Sequence, residues 1–204
     1  MRNRSPFSPL RLISFVLILA AVVLTTLQLA RFSRVRANLP AGLQIAGVPV
    51  GGLTRQEAAQ RLLESYSTAV ELRYNQSPIH LEPAVVDFQL DVDSMLGAAD
   101  VARNQRPFWE EFWDYLWGRT TNPPSIPLSS SFSEKRLRDY LVTIAERYDE
   151  PAQPPAPVPG TVEFTGGLPG KQLNTDGSVL LIESALRSLI RREVDLPLER
   201  SEPP

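Results

Sequence analysis

The chain has 204 residues, 43% of them hydrophobic and 22% charged, a globular composition sized for one compact domain with appendages or two small ones. With no cysteine and one histidine it holds no disulfide, thiol nucleophile, cysteine-ligated metal or two-histidine site. The net charge of -2 is unevenly spread: the first 36 residues carry six arginines and no acid, leaving residues 37–204 with 15 basic against 23 acidic residues. A body of that sign argues against nucleic acid as a partner, because such binding needs a basic patch to meet phosphate.

From Leu12 to Ala30 nineteen residues pass without a charge. As a helix this run is about 28 Å long, near the hydrocarbon thickness of a bilayer, and a helix satisfies its own backbone polar groups as lipid demands. The run is longer than a signal-peptide core and no small-x-small cleavage site follows, so a retained signal anchor is preferred over a cleaved leader. The expected layout is a cytoplasmic tail (1–11), a single-pass transmembrane anchor (12–30), a juxtamembrane linker (31–42), an α+β domain (43–198) and a C-terminal tail (199–204). Three arginines precede the run and three follow it, so the positive-inside rule discriminates little. The short leading tail and the acidic body favour an inside N-terminus, with residues 37–204 extracytoplasmic.

Beyond the linker, Gln44–Val48 reads as a short strand broken by Gly51-Gly52. Thr54 to Glu57 has the form of a capping box, with Leu53 and Ala58 placed as a hydrophobic staple. Ala58, Leu62 and Tyr66 then give a helical stripe. Val70, Leu72 and Tyr74 alternate with polar residues, Asn75-Gln76 turns the chain, and Ile79 and Leu81 resume the alternation, which predicts a hairpin. Val85–Asp93 alternates again and predicts a further strand, followed by a helix from about Asp93 to Asn104. An aromatic block runs from Phe108 to Trp117, and Gly118–Pro124 is a breaker-rich loop between two halves, 43–118 and 125–198.

The second half repeats this vocabulary. Ser125–Ser129 is a possible strand, and Ser133 caps a helix carrying Leu137, Leu141 and Ile144. Five prolines from Pro151 to Pro159 predict an extended, semi-rigid link. Thr161–Thr165 alternates as a strand, Asn174 or Thr175 caps a last helix, and Val194, Leu196 and Leu198 alternate to close the fold. The expectation is an α+β domain of three to four helices on short, largely antiparallel strands.

Gly47-Val48-Pro49-Val50-Gly51-Gly52-Leu53-Thr54, with Glu57-Ala58 and Leu62 behind it, resembles the opening of the peptidoglycan-binding domain of VanW-like proteins, which also precedes YkuD-type L,D-transpeptidase catalytic domains. Ser131-Phe132-Ser133-Glu134, then Phe164, Gly170, Leu173, Asn174, Ala185-Leu186, Val194, Leu196 and Pro197, continue the resemblance over roughly residues 43–198. Asn174 stands where that family more often has Asp, a change that keeps the capping capacity. A transpeptidase needs a cysteine, and there is none. The resemblance therefore implies a non-catalytic, wall-associated module that binds peptidoglycan or positions a cell-wall enzyme. The alternative is an envelope-assembly scaffold whose partner is a protein. Pro203-Pro204 reads as the start of a linker.

The candidate sites are few. Gly51 and Gly52 match no phosphate-loop pattern and are assigned, with Thr54 and Glu57, a structural role in a strand-to-helix turn. No Ser-x-x-Lys nucleophile exists at Lys135 or Lys171, and His80 alternates outward as a solvated histidine. Asp87, Asp91 and Asp93 fall on one predicted strand face without calcium-loop spacing. No catalytic residue, metal or cofactor is assigned. The aromatic block holds six of the sixteen aromatics, including all three tryptophans. Trp109, Trp113 and Leu116 or Trp117 form one helical stripe and Phe108, Phe112 and Tyr115 its neighbour. Three roles compete for it: a helix buried against the sheet, a membrane-interface helix opposed by Glu110, Glu111 and Asp114, or a platform on which Trp109, Trp113 and Trp117 pack against the sugar rings of peptidoglycan.

Overall fold

The computed structural model describes residues 9–119, 123–157, 159–160 and 165–203. Its fold is α+β, with a long apolar N-terminal helix followed by helices packed on short strands of largely antiparallel pairing. The strand expected over Thr161–Thr165 lies outside the described residues except for its last member.

Helix α1 (Pro9–Ala37) is 29 residues long. No glycine or proline occurs from Leu12 to Leu39, so nothing in the backbone stops the helix where the charge-free run stops. Residues 31–42, expected as a linker, are consequently helical to Ala37 and then enter the core at Leu39. Residues 12–27 are exposed throughout, whereas Phe32 is buried.

The single strand expected over Gln44–Val48 is instead a tight hairpin of β1 (Gln44–Ile45) and β2 (Val48–Pro49). Gly47, at φ 79°, lets the chain reverse between them. Helix α2 (Arg55–Tyr66) begins with the expected capping box: the Thr54 hydroxyl accepts from the Glu57 N–H at 3.3 Å, and the Glu57 carboxylate accepts from the Thr54 N–H at 2.8 Å. Its buried residues are Ala58, Leu62 and Tyr66. Strands β3 (Val70–Tyr74) and β4 (Ser77–Leu81) form the expected hairpin, with Asn75 in the left-handed region at φ 57°.

Val85–Asp93 is not a strand. Pro83–Val86 forms a 3₁₀ turn, and the Asp87 and Phe88 N–H groups donate to the carbonyls of Ala84 and Pro83 instead of to a neighbouring strand. Only β5 (Gln89–Leu90) is extended, and Asp91 then caps helix α3 (Val92–Asn104). Helix α4 (Phe108–Leu116) packs on α1, not on a sheet, because Phe32 offers it a buried aromatic contact.

In the second half, Ile126 bridges to Ile45 and β6 (Ser130–Ser131) pairs with β5, so the strand expected over Ser125–Ser129 is displaced by a residue or more. Ser133 and Asn174 cap α5 (Glu134–Tyr148) and α6 (Thr175–Leu186). The proline-rich link is held by a ladder. Glu150 and Lys171 exchange both backbone hydrogen bonds, as do Gln153 and Leu168, and the Ala156 carbonyl accepts from Thr165. The donor at 150 stands just before the proline run and the donor at 153 between Pro151 and Pro154, which have no N–H to satisfy. Pro197 breaks the final alternation in two: β8 (Glu193–Asp195) pairs parallel with β3, and β9 (Leu198–Ser201) pairs antiparallel with β7 (Gly170–Leu173).

Two cores result, and they do not follow the halves 43–118 and 125–198. One gathers Leu39, Leu43, Val50, Leu62, Leu96 and Ile126. The other joins Val70, Leu72 and Leu81 of the first half to Leu137, Leu141, Ile182 and Leu186 of the second. The parallel β3–β8 pairing pulls the hairpin into the later core, and Phe88 packs against both. Each fully buried Leu or Ile side chain contributes about 1.5–3 kcal/mol.

Candidate functional site

The junction of α1 with the domain is the most elaborated surface among the described residues. It begins at the glycine pair. A Cβ on Gly51 would stand 2.6 Å from the Gly42 nitrogen and 2.9 Å from the Pro40 oxygen, so only glycine admits this backbone. Gly52 takes φ 78° and donates its N–H to the Leu39 carbonyl at 2.9 Å. The Asn38 side-chain amide donates to the Gly52 carbonyl, and the Arg103 guanidinium donates to the Ala37 carbonyl. The strand-to-helix turn is therefore also the socket that receives the end of α1. Thr54 and Glu57 fix the helix that follows, and the capping bonds hold the Glu57 carboxyl below the usual carboxylate range.

Helix α4 closes the other side. The Phe32 ring lies 5.2, 5.5 and 5.4 Å from the rings of Phe108, Phe112 and Tyr115. Three side chains spread over two turns of α4 meet one ring of α1, so α4 crosses α1 at Phe32. One turn further on, Arg36 lies 2.9 Å from the Glu111 carboxylate and covers the Phe108 ring. Arg106 holds Asp114 at 2.7 Å. Between α1, α3 and α4 these groups line a hollow of about 420 Å³, with Phe32, Leu39 and Tyr115 as its apolar wall.

Trp109, Trp113 and Trp117 are 62%, 57% and 72% exposed, Trp109 and Trp113 on the flank of α4 away from the two ion pairs and Trp117 at its C-cap. The structure thus brings the three predicted tryptophans together on one exposed surface at the foot of the domain. The residues that seat them, Phe32 and Arg36, were assigned by sequence to a linker. The absence of any helix breaker before Pro40 was the signal that marked them as helical.

A second concave surface lies on the domain body. A groove of about 650 Å³ runs between α2, the 3₁₀ turn and β5, lined by Leu63, Tyr66, Glu82, Phe88, Gln89 and Leu90. The Tyr66 and Phe88 rings stack at 6.3 Å, and the Arg192 guanidinium lies over the Tyr66 ring at 5.6 Å. Burial raises the Tyr66 phenol above its ordinary value against the opposing charge of Arg192.

The remaining candidates separate. His80 is exposed on β4 opposite Glu71. Asp87, Asp91 and Asp93 share no face: Asp87 ends the 3₁₀ turn at φ 55°, Asp91 caps α3 by accepting from Ser94, and Asp93 lies in the first turn of α3, 3.5 Å from Arg55. Among the described residues no cluster of three or more His, Asp or Glu side chains is placed to hold a metal ion.

Among the described residues one helix, over Leu12–Ala37, is long and apolar enough to cross a membrane. Comparison of the chain with protein-family models, with curated proteins and with solved structures returns no match.

Proposed function

We propose that this chain is a membrane-tethered module of the cell envelope that works by binding. In this reading α1 is a single-pass anchor, residues 37–204 are extracytoplasmic, and the domain contacts peptidoglycan or holds a cell-wall enzyme beside it. The observation that carries the reading is the junction itself. An apolar helix exposed over residues 12–27 is built into a folded body at Phe32 and Leu39 with no spacer between them. A tether of that kind holds a binding surface at a fixed height above a bilayer. The resemblance of residues 43–198 to the peptidoglycan-binding domain of VanW-like proteins supports the ligand.

Two surfaces compete for glycan contact. The groove at Tyr66 and Phe88 has an apolar floor and a polar rim in Glu82 and Gln89, a lining suited to sugar rings. The tryptophan surface of α4 offers broad rings at the foot of the domain. Sedimentation of the detergent-solubilised full chain with purified sacculi tests the reading, and saturable retention is the expected result. A folded chain that stays in the supernatant overturns glycan binding and leaves the protein-partner scaffold. W109A/W113A and L63D/Q89A then assign the surface, since only the one that matters reduces retention.

A further inference from the structure

We propose that α4 is an interfacial helix, seated in the headgroup layer of the bilayer that α1 spans, with Trp109, Trp113 and Leu116 set against the lipid. The proposal rests on the reading of α1 as a membrane anchor, and it assigns a lipid surface as the partner of a helix face that nothing among the described residues covers.

Depth is the first argument. The charge-free run ends at Ala30, and Phe32 lies two residues beyond it, about 3 Å along the helix axis. The interfacial layer on each side of the hydrocarbon is roughly 5–8 Å thick. Because α4 crosses α1 at Phe32 and a helix is about 10 Å across, its near side reaches the edge of the hydrocarbon. Gln28 and Leu29, one turn back on the face that carries Phe32, are half-buried while residues 12–27 are exposed.

Orientation is the second. At about 100° per residue, Phe108, Phe112 and Tyr115 point to α1, Glu111 and Asp114 lie on one flank, and Trp109, Trp113 and Leu116 lie on the other. Glu111 reaches Arg36, which is one turn further from the apolar run than Phe32. The acidic flank therefore faces away from the run, and the tryptophan flank faces back toward it.

Charge is the third. The acids of α4 are the obvious objection to lipid contact, yet two of the three are paired on the outward flank, Glu111 with Arg36 and Asp114 with Arg106, and the third, Glu110, is exposed on the side of the helix opposite α1, between Asp114 and the tryptophan flank. Arg31 and Arg34 are exposed at the level of Phe32, placed to reach lipid phosphates, and indole rings favour this layer because they present an apolar body and one N–H donor.

All three tryptophans of the chain lie in this block, so emission excited selectively from tryptophan reports on α4 and its C-cap alone. The full chain is reconstituted into phosphatidylcholine–phosphatidylglycerol vesicles, floated on a density gradient, and titrated with acrylamide or prepared with lipid brominated near the headgroup end of its acyl chains. The expected result is flotation, blue-shifted emission, loss of intensity with the brominated lipid and protection from acrylamide. A variant retaining only Trp109 (W113F/W117F) should lose more intensity to the bromine than one retaining only Trp117 (W109F/W113F). A chain that floats while its tryptophans stay open to acrylamide and indifferent to bromine overturns the interfacial helix and leaves the anchor standing. A chain that does not float overturns both. Emission that ignores the lipid and shifts on adding sacculi assigns this face to glycan instead, and overturns the proposal.

Discussion

The rings of Phe32 and Phe112 stand 5.5 Å apart, both buried, one on the apolar helix α1 and the other on the aromatic helix α4. Phe108 and Tyr115 meet the same Phe32 ring at 5.2 and 5.4 Å, and the ion pair of Arg36 with Glu111 flanks the cluster. The domain and α1 are joined by packed side chains as well as by the chain itself.

Phe32→Ala should cost about 3–5 kcal/mol of stability by emptying the space that Phe108, Phe112 and Tyr115 enclose. Thermal denaturation of the solubilised chain checks the cost. Acrylamide quenching checks the consequence, since α4 released from α1 exposes its tryptophans further. Arg36→Gln should cost no more than about 1 kcal/mol, because the pair it breaks is partly solvated.

The glycine pair separates two physical effects. Gly51→Ala puts a Cβ within 2.6 Å of the backbone of Gly42, so the segment carrying the end of α1 must move. Gly52→Ala meets no atom within 4 Å and suffers only its left-handed φ of 78°, a penalty of about 1–2 kcal/mol. A larger loss of melting temperature for Gly51→Ala is the expected order. Equal losses would show that the close approach to Gly42 does not matter.

Asp149 ties three elements. One of its carboxylate oxygens accepts from the Tyr74 hydroxyl at 2.9 Å and from the Leu173 N–H at 3.1 Å. Asp149→Ala leaves both donors unpaired and should cost about 1–3 kcal/mol, measured by urea denaturation. The cost for Tyr74→Phe should be smaller, because no buried donor is orphaned.

The same contact gives an alkaline pH dependence. Burial, then the hydrogen bond to Asp149 and its charge, push the Tyr74 phenol up to about 12. The folded protein therefore keeps a proton that the unfolded chain releases from about pH 10. Stability from this group is complete below pH 10 and is lost as pH rises from 10 to 12. Spectrophotometric titration of the wild type against Tyr74→Phe should remove one late-titrating phenol, and the variant should lose stability less steeply across that window.

Thr54→Ala removes the acceptor for the Glu57 N–H and should cost about 1 kcal/mol, typical of a lost N-cap. Thr54→Ser should recover most of it, read as the difference in denaturation midpoint.

The amino-acid order by itself determined what depends on neighbours a few residues apart. The charge-free run from Leu12 and the stripe of Ala58, Leu62 and Tyr66 were legible, as were the capping box at Thr54 and the turn at Asn75, because helix periodicity, caps and turns are local. The mixture of helices with short strands followed from them. Local pattern failed where a segment's partner is distant. Alternation over Val85–Asp93 looked like a strand, but its N–H groups close a turn on Pro83 and Ala84. Val194 and Leu198 looked like one strand, but Pro197 sends one part to β3 and the other to β7. For the candidate site, sequence found the three tryptophans by composition and could not say what they face. That was decided by Phe32 meeting a helix that begins 76 positions later and by Arg36 holding Glu111 on the flank away from Trp109 and Trp113. Periodicity records which side of an element is apolar; only the folded chain, by choosing which side is covered, decides which apolar side is left free.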